Sequence, residues 1–313
     1  MTKIGPDAKG VYIISATPFT DDGHIDAKST DRLVDFYHQV GVTGVTILGM
    51  MGEAQKLEPS EALQFANQVI RRAPDLPVVV GVSAPGFAAM RTLARSSMDA
   101  GAAGVMIAPP ITCKTDDQIV TYFQQASTAI GADVPFVLQD YPLASGVVIG
   151  ASVIERIIAS NPACAMLKHE DWPGLEKITA LRRAEQERGL RRVPILCGNG
   201  GVFLDLELGR GADGAMTGYA FPELLVRMCA SQSKGDKTAL HDLFDAHLPF
   251  MRYEQQPGIG LAIRKYVLKR RGLLTSDAQR QPGSALSKEA RTEVDFLLGR
   301  LLEKDPGLAP KAG

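Results

Sequence analysis

Short apolar runs and amphipathic segments alternate along most of the chain. Eight apolar runs of five or six residues recur before residue 218, and segments of helical length separate them. In these segments apolar residues recur at spacings of three and four, as at Leu33, Phe36 and Val40, which is typical of amphipathic helices. The apolar runs predict strands over residues 11–16, 44–48, 77–82, 104–108, 135–139, 164–168, 193–197 and 213–217. This unbroken alternation of strands and helices predicts a parallel sheet.

Eight strand–helix repeats in a chain of 313 residues fit a closed barrel better than an open sheet. The predicted fold class is therefore α/β, a TIM (β/α)8 barrel. After the eighth repeat, helices are predicted over residues 237–250, 259–274 and 288–302, which is more than a barrel needs. We expect residues 1–221 to form the barrel, and residues 222–313 to form its last helix plus a C-terminal helical extension.

The starts of the first two helices can be predicted from residue type. Ser29 is a plausible N-cap for the first helix, because its hydroxyl can accept a hydrogen bond from a free backbone N–H. Pro59 follows Glu58 near the first turn of the second helix, where a missing N–H does no harm. We expect both helices to begin within a few residues of these positions.

Composition and motifs exclude several classes of protein. A net charge of -1 gives no field to attract nucleic acid or an anionic membrane. The four cysteines lack CxxC spacing, so we expect neither disulfides nor a metal site. The nucleotide-binding motifs GxGxxG and GxxxxGK[ST] are missing. With no hydrophobic signal segment and no apolar run of 18 residues, we expect a cytoplasmic protein that does not enter a membrane.

Lys168 directly follows the apolar run of the predicted sixth strand and is the only lysine among the predicted strand ends. Active sites of such barrels lie at the carboxyl ends of the strands. In apolar surroundings the charged form of a lysine is disfavoured, which supplies the neutral nucleophile that Schiff-base chemistry requires. The alternative is a lysine that turns to solvent or only pairs with Glu170 or Asp171. If the strand continues, His169 points away from Lys168, and we interpret it as structural.

Other strand ends supply further candidates, each with a purely structural alternative. Gln139 and Tyr141 end the fifth strand, and the Tyr141 phenol is either a proton carrier or a rim side chain. Glu170 is either a general base or a partner that offsets the lysine charge. Asn199 and Thr217 are candidates for hydrogen bonds to substrate hydroxyls, although such residues often bond only to local backbone.

Several motifs occur here in the order of a known enzyme family. They are Gly49 to Glu53 after the second strand, Pro142 and Gly146 after the fifth, and Lys168 ending the sixth. With the C-terminal helices, they make nearly the whole chain resemble the dihydrodipicolinate synthase/N-acetylneuraminate lyase family of class I aldolases. This family receives the carboxylate of a 2-oxo acid on a Gly-Thr-Thr-Gly-Glu loop. The resemblance implies the same role for the backbone N–H groups of Gly49, Met50 and Met51, although both threonines, and with them their hydroxyl relay, are replaced.

Three further positions depart from the family pattern. Gln139 occupies the position of a tyrosine that shuttles protons, and an amide is not a general acid or base near neutral pH. Ala144 occupies the position of an arginine that dihydrodipicolinate synthases use for their second substrate. Pro110 and Ile111 replace a tyrosine that the neighbouring subunit supplies. These losses weigh against dihydrodipicolinate synthase activity.

Other motifs are similar to the branch of this family that contains L-2-keto-3-deoxyarabonate dehydratases. They are Gln139-Asp140, Lys168-His169-Glu170, the Gly-Ala-Met-Thr-Gly at residues 214–218, and residues 254–259. The resemblance implies a lyase in which Lys168 forms an imine with a small 2-oxo acid and eliminates water, without metal or organic cofactor. It also implies a homo-oligomer, a dimer or a tetramer. The alternatives are 4-hydroxy-tetrahydrodipicolinate synthase, a pyruvate-dependent aldolase, or a barrel that binds a sugar acid without turnover.

Overall fold

Eight parallel strands close into a barrel in the computed structural model, which describes residues 3–308. Each strand pairs with the next in chain order, and the last pairs with the first. The strands are β1 Gly10–Ile14, β2 Gly44–Ile47, β3 Val78–Gly81, β4 Gly104–Ile107, β5 Phe136–Asp140, β6 Cys164–His169, β7 Ile195–Cys197 and β8 Gly214–Ala215. The predicted α/β TIM barrel is confirmed, with each strand within a few residues of its predicted place.

Helices surround the barrel and continue beyond it. They are α1 Ala27–Val40, α2 Pro59–Arg72, α3 Phe87–Asp99, α4 Asp116–Ile130, α5 Pro142–Ser145, α6 Ala151–Ser160, α7 Leu175–Arg188, α8 Leu204–Gly209, α9 Pro222–Lys234, α10 Lys237–Glu254, α11 Gly260–Arg270 and α12 Lys288–Lys304. The three predicted helices of the extension correspond to α10, α11 and α12, while residues 309–313 lie outside the described residues. No helix within residues 3–308 is long and apolar enough to span a bilayer.

Successive side chains of each strand alternate between the barrel interior and the helix layer. Tyr12, Val137 and Met166 belong to the apolar cluster that fills the barrel, whereas Leu138 and Leu167 belong to the cluster between strands and helices. Both faces of the strands are therefore covered, which explains why the strands read as continuous apolar runs. The same alternation directs Lys168, two residues after Met166, into the barrel.

The predicted N-cap of α1 is wrong, although the helix begins within a few residues of it, and the predicted start of α2 is confirmed. The α1 N-cap is Asp26, whose carboxylate accepts the Ser29 N–H at 3.0 Å. The Ser29 hydroxyl donates to the same carboxylate at 2.6 Å, so Ser29 lies inside the helix rather than at its cap. The start of α2 is as predicted, with Pro59 in the first turn after Glu58 and with a capping box between Glu58 and Glu61.

A buried ion pair within the C-terminal extension binds backbone groups at the carboxyl end of the barrel. Arg264 of α11 donates to Glu254 of α10 at 2.6 Å and to the Gly218 carbonyl, just after β8, at 2.6 Å. Glu254 also accepts the Ala220 N–H at 3.1 Å. These contacts place the last helices at the barrel end where the strand-end candidates lie.

Candidate active site

Lys168 lies inside the barrel near the carboxyl end of β6. It is in register with Gln139 of β5 on one side and with Leu196 of β7 on the other. Its side chain is buried, and its Nζ lies 2.9 Å from the Glu170 Oε2. The structure thus combines the two alternatives for this lysine, because the amine points inward and is also paired.

Glu170 is the buried carboxylate around which the site is arranged. Its Oε2 accepts a hydrogen bond from the Gln139 Nε2 at 2.8 Å in addition to its contact with Lys168. The carboxylate folds back over β7 because residue 198 is glycine; a Cβ there would lie 2.2 Å from the Glu170 Cγ. Asp171, the other acid near the lysine in sequence, instead pairs with Lys177 at 2.5 Å. Lys168, Glu170 and Gln139 therefore form one hydrogen-bonded group.

Tyr141 stands at the edge of this group, directly after β5. Burial, and secondarily the negative charge of Glu170, raise the pKa of the Tyr141 phenol. The phenol therefore lies within electrostatic range of the carboxylate. Its hydroxyl has no hydrogen-bond partner among residues 3–308, whereas its backbone carbonyl accepts bonds from the short helix α5.

The loop after β2 presents free backbone N–H groups at the barrel mouth. Residues Met50–Gly52 form a single 3-10 turn, and the Met50 and Met51 N–H groups find no acceptor in the described part of the chain. Met51 packs against the apolar cluster inside the barrel, and a Cβ on Gly49 would lie 3.4 Å from the Met106 side chain of that cluster. Adjacent free N–H groups of this kind can bind an anion such as a carboxylate.

Asn199 and Thr217 hold the backbone of the loops after β6 and β7 in place. The Asn199 Nδ2 donates to the Glu170 carbonyl at 2.8 Å, and the Thr217 Oγ1 accepts the Gly200 N–H at 2.8 Å. The Asn199 Oδ1 is buried without a hydrogen-bond donor in the described chain. The Thr217 hydroxyl thus already accepts a hydrogen bond from the protein backbone, whereas the Asn199 Oδ1 can accept one from a ligand.

A family comparison assigns this geometry to a known class of protein. The Dihydrodipicolinate synthetase family matches residues 7–301, which is nearly the whole chain. The chain belongs to this family. Family members are lyases that form a Schiff base on a lysine, so the predicted enzyme class is confirmed as well.

Individual members of the dihydrodipicolinate synthetase family that are similar to this chain carry different names. One is L-2-keto-3-deoxyarabonate dehydratase from Azospirillum brasilense, 27% identical over 301 residues, 95% of each chain. Another is 4-hydroxy-tetrahydrodipicolinate synthase from Gluconacetobacter diazotrophicus, 27% identical over 91% of this chain and 94% of its own. A crystal structure of dihydrodipicolinate synthase from Rhodopseudomonas palustris is 60% identical, with a TM-score of 0.95 over 96% of this chain and 100% of its own. These names agree on the family and differ on the substrate.

Of the residues that support this family site from the helix layer, sequence reasoning identified only His169, as a structural residue facing away from Lys168. His169 lies on the outer face of β6, and its Nδ1 is 3.5 Å from the buried Asp140. Lys177 of α7 binds Asp140 at 2.8 Å and so ties the ends of β5 and β6 to that helix. Burial raises the pKa of Glu207 in the same layer to about 7. The sequence signal for this second layer was weak: Asp140 is adjacent to Gln139 and must point outward.

Proposed function

We propose that this enzyme dehydrates a 2-keto-3-deoxy sugar acid, as an L-2-keto-3-deoxyarabonate dehydratase does. The observation that carries the proposal is the contact of Glu170 with both Lys168 and Gln139. At the position where the family pattern has a proton-carrying tyrosine, this chain has an amide that cannot carry a proton. A carboxylate 2.9 Å from the reacting nitrogen provides the missing proton carrier.

Substrate binding in this proposal begins with the carboxylate of the 2-oxo acid. The free N–H groups of Met50 and Met51 donate hydrogen bonds to this carboxylate, which directs the adjacent C2 carbonyl into the barrel. Replacement of the family's threonines does not affect this contact, because backbone donors are independent of the side chain. The C2 carbonyl then lies next to the Lys168 amine inside the barrel.

The chemistry runs through one proton carrier. Lys168 transfers a proton to Glu170 and attacks C2, and a proton moves from its nitrogen to the C2 oxygen to give a carbinolamine. Glu170 then returns its proton to the C2 hydroxyl, which leaves as water, so that the protonated imine forms and Glu170 is again a carboxylate. Glu170 then removes a C3 proton, because the imine accepts the electron pair as an enamine. The enamine expels the C4 hydroxyl, which leaves as water with a proton from Glu170. Loss of a C5 proton and protonation of C3 give a C5 enol, which becomes the aldehyde as its hydroxyl proton is lost and C4 is protonated. Hydrolysis of the imine then releases 2-oxoglutarate semialdehyde and regenerates Lys168.

Tyr141, Gln139 and Asn199 have supporting roles in this scheme. Gln139 orients Glu170 through its hydrogen bond. The buried Asn199 Oδ1 accepts a hydrogen bond from a hydroxyl of the sugar acid. Tyr141 faces the charge of Glu170 from the barrel mouth and keeps its phenol protonated, because its raised pKa favours the neutral form. A neutral phenol is a hydrogen-bond donor to the leaving C4 hydroxyl. We assign the Thr217 hydroxyl to the β7 loop rather than to the substrate.

A second candidate is 4-hydroxy-tetrahydrodipicolinate synthase, the name of the relative from Gluconacetobacter diazotrophicus, and the 60% identical relative is named dihydrodipicolinate synthase. Against it stand Gln139 and Ala144, at positions where the resemblance places a tyrosine and an arginine for that reaction. A pyruvate-releasing aldolase shares the imine and enamine steps, but breaks the C3–C4 bond.

Product analysis separates the three activities. The purified enzyme is incubated with 2-keto-3-deoxyarabonate, and separately with pyruvate plus aspartate semialdehyde. We expect 2-oxoglutarate semialdehyde from the first mixture and no turnover of the second. Release of pyruvate in the first mixture would identify an aldolase, and condensation in the second would identify the synthase.

Borohydride trapping tests whether the barrel turns over a substrate or only binds one. Reduction in the presence of the 2-oxo acid should add its mass to the peptide that contains Lys168. The Lys168→Arg variant should show neither adduct nor turnover, because a guanidinium does not form this imine. A wild-type protein that binds the acid without any adduct would favour a binding protein.

We also propose that the enzyme acts as a homo-oligomer in the cytoplasm, a dimer or a tetramer. Large apolar side chains on the loops after β4 and β5 support an interface there, since Ile111, Leu143 and Val148 are 62%, 65% and 69% exposed. Light scattering after size exclusion should give a mass of two or four chains. Replacing Leu143 with aspartate should lower that mass.

A further inference from the structure

A buried ion pair joins the loop after β2 to the C-terminal extension. Lys265 of α11 is fully buried, and its Nζ contacts the Glu53 Oε1 at 2.5 Å and the Ala278 carbonyl at 2.9 Å. Glu53 is equally buried and directly follows the turn formed by Met50–Gly52. The two residues are 212 positions apart in sequence, so only the folded chain brings them together.

The loop that this pair holds has an unfavourable backbone conformation at both ends. Leu48 and Glu53 have φ values of 56° and 55°, which non-glycine residues rarely adopt. The Leu48 carbonyl turns toward β3, where a Cβ on Gly81 would lie 2.2 Å away from it. Such conformations persist only when surrounding contacts hold them, and they are concentrated at ligand sites. The free N–H groups of Met50 and Met51 lie between these two residues.

Glu53 receives more contacts than an ordinary ion pair supplies. Its second oxygen accepts the Lys56 Nζ at 3.0 Å and the Arg280 backbone N–H at 3.0 Å. The Lys56 amine also binds the Arg280 carbonyl at 3.1 Å, and the Lys265 amine lies 4.5 Å above the Phe19 ring. The extension thus encloses the end of the loop from α11 and from the segment before α12.

We propose that Lys265 is a positioning residue that holds the carboxylate-binding loop at Met50 and Met51 in its binding conformation. The proposal rests on the function proposed above only in taking a 2-oxo acid as ligand. Lys265 itself touches no substrate, since its amine is enclosed by Glu53 and the Ala278 carbonyl. Loss of the amine leaves Glu53 held through one oxygen only, by Lys56 and the Arg280 N–H, so that Leu48 and Glu53 can relax and the two N–H groups no longer converge. The C-terminal extension is in this way part of the binding site.

The experiment measures pyruvate affinity rather than turnover. Borohydride trapping on Lys168 is titrated with pyruvate in wild type, Lys265→Met and Lys269→Met. Lys269 is the matched control, because it lies one turn further along α11 in an exposed pair with Asp277 at 2.9 Å. We expect Lys265→Met to raise the half-saturating pyruvate concentration roughly tenfold, with the maximal trapping rate within about threefold. Lys269→Met should match wild type.

A second variant separates positioning from simple loss of stability. Glu53→Gln/Lys265→Met removes both buried charges, so the thermal stability lost with an unpaired carboxylate should return. The weak pyruvate affinity should remain, because no ion pair anchors the loop. Recovery of both stability and affinity in the double variant would overturn the proposal, and so would wild-type affinity in Lys265→Met. If wild type is trapped with pyruvate but does not dehydrate 2-keto-3-deoxyarabonate, the proposed dehydratase activity is wrong. The pyruvate titration still tests the role of Lys265 in that case.

Discussion

Lys168 lies within β6, whereas Glu170 directly follows the strand, which ends at His169, and its side chain turns back to the lysine amine. The Glu170 N–H still bonds to the Asp140 carbonyl at 2.8 Å, while its side chain bends over Gly198. An amine and a carboxylate in contact within a buried site exchange a proton readily, which suits imine formation and C3 deprotonation in turn. At the residue scale, the function therefore depends on one short contact.

Glu170→Gln removes the proton carrier and keeps the side-chain shape. We expect kcat for 2-keto-3-deoxyarabonate to fall by roughly 10²- to 10⁴-fold, as for loss of general acid–base catalysis. Asp171→Asn is the matched control, because Asp171 pairs with Lys177 outside the barrel and should affect kcat far less. Steady-state kinetics decide the matter. An unchanged kcat in Glu170→Gln would mean that another group carries the proton.

Glu207 gives a residue-scale prediction on stability. Burial raises the pKa of this carboxyl from 4.5 to about 7, so between these pH values the folded protein holds a proton that the unfolded chain has released. The folded state therefore loses stability as pH rises through this window. At pH 8, the free energy of unfolding of Glu207→Gln should exceed that of wild type by about 3 kcal/mol or less. At pH 4.5, the two free energies of unfolding should be nearly equal. Denaturant titration at each pH measures them. A gain that is the same at both pH values would contradict this assignment.

At the scale of elements, the helices around the barrel carry their own start signals. Thr115 caps α4 by accepting the Gln118 N–H at 3.3 Å, and the Gln118 side chain accepts the Thr115 N–H at 3.2 Å. Such capping boxes depend on residues three apart, which is why short-range sequence reasoning can locate them. The error at Ser29 has the same origin: Asp26, three residues earlier, accepts the Ser29 N–H and so caps the helix before Ser29.

Thr115→Ala tests the α4 cap. We expect a loss of about 1 kcal/mol in the free energy of unfolding, because one N–H of the first turn loses its acceptor. Thr128→Ala is the matched control on the same helix, since Thr128 only bonds back to the Gln124 carbonyl. Denaturant titration of both variants provides the comparison. Equal losses would show that the cap is not the cause.

At the scale of the whole molecule, barrel and extension share one apolar core. Buried residues of the strands, such as Val45 and Leu138, belong to the same cluster as Leu301 of α12 and Phe250 of α10. The last helices are therefore packed into the structure rather than appended to it. We expect the described chain to unfold in a single cooperative transition.

Leu301→Ala tests this shared core from its far end. Leu301 is 2% exposed, so its truncation should cost about 2–5 kcal/mol and lower the melting temperature of the entire protein. Leu206, 46% exposed, is the control, and Leu206→Ala should change the melting temperature little. Calorimetry should show one peak that moves as a whole. A separate early peak would indicate that the extension unfolds independently.

The sequence by itself determined the barrel, the helical extension and the inward lysine. Apolar runs, their spacing and side-chain alternation act over a few residues, so a single sequence contains them completely. The tertiary structure alone decided that Glu170 is held by Gln139 and that Lys265 braces Glu53. These partners are 31 and 212 residues apart, and which distant side chains meet depends on barrel closure and on where the last helices pack. No local pattern records that geometry.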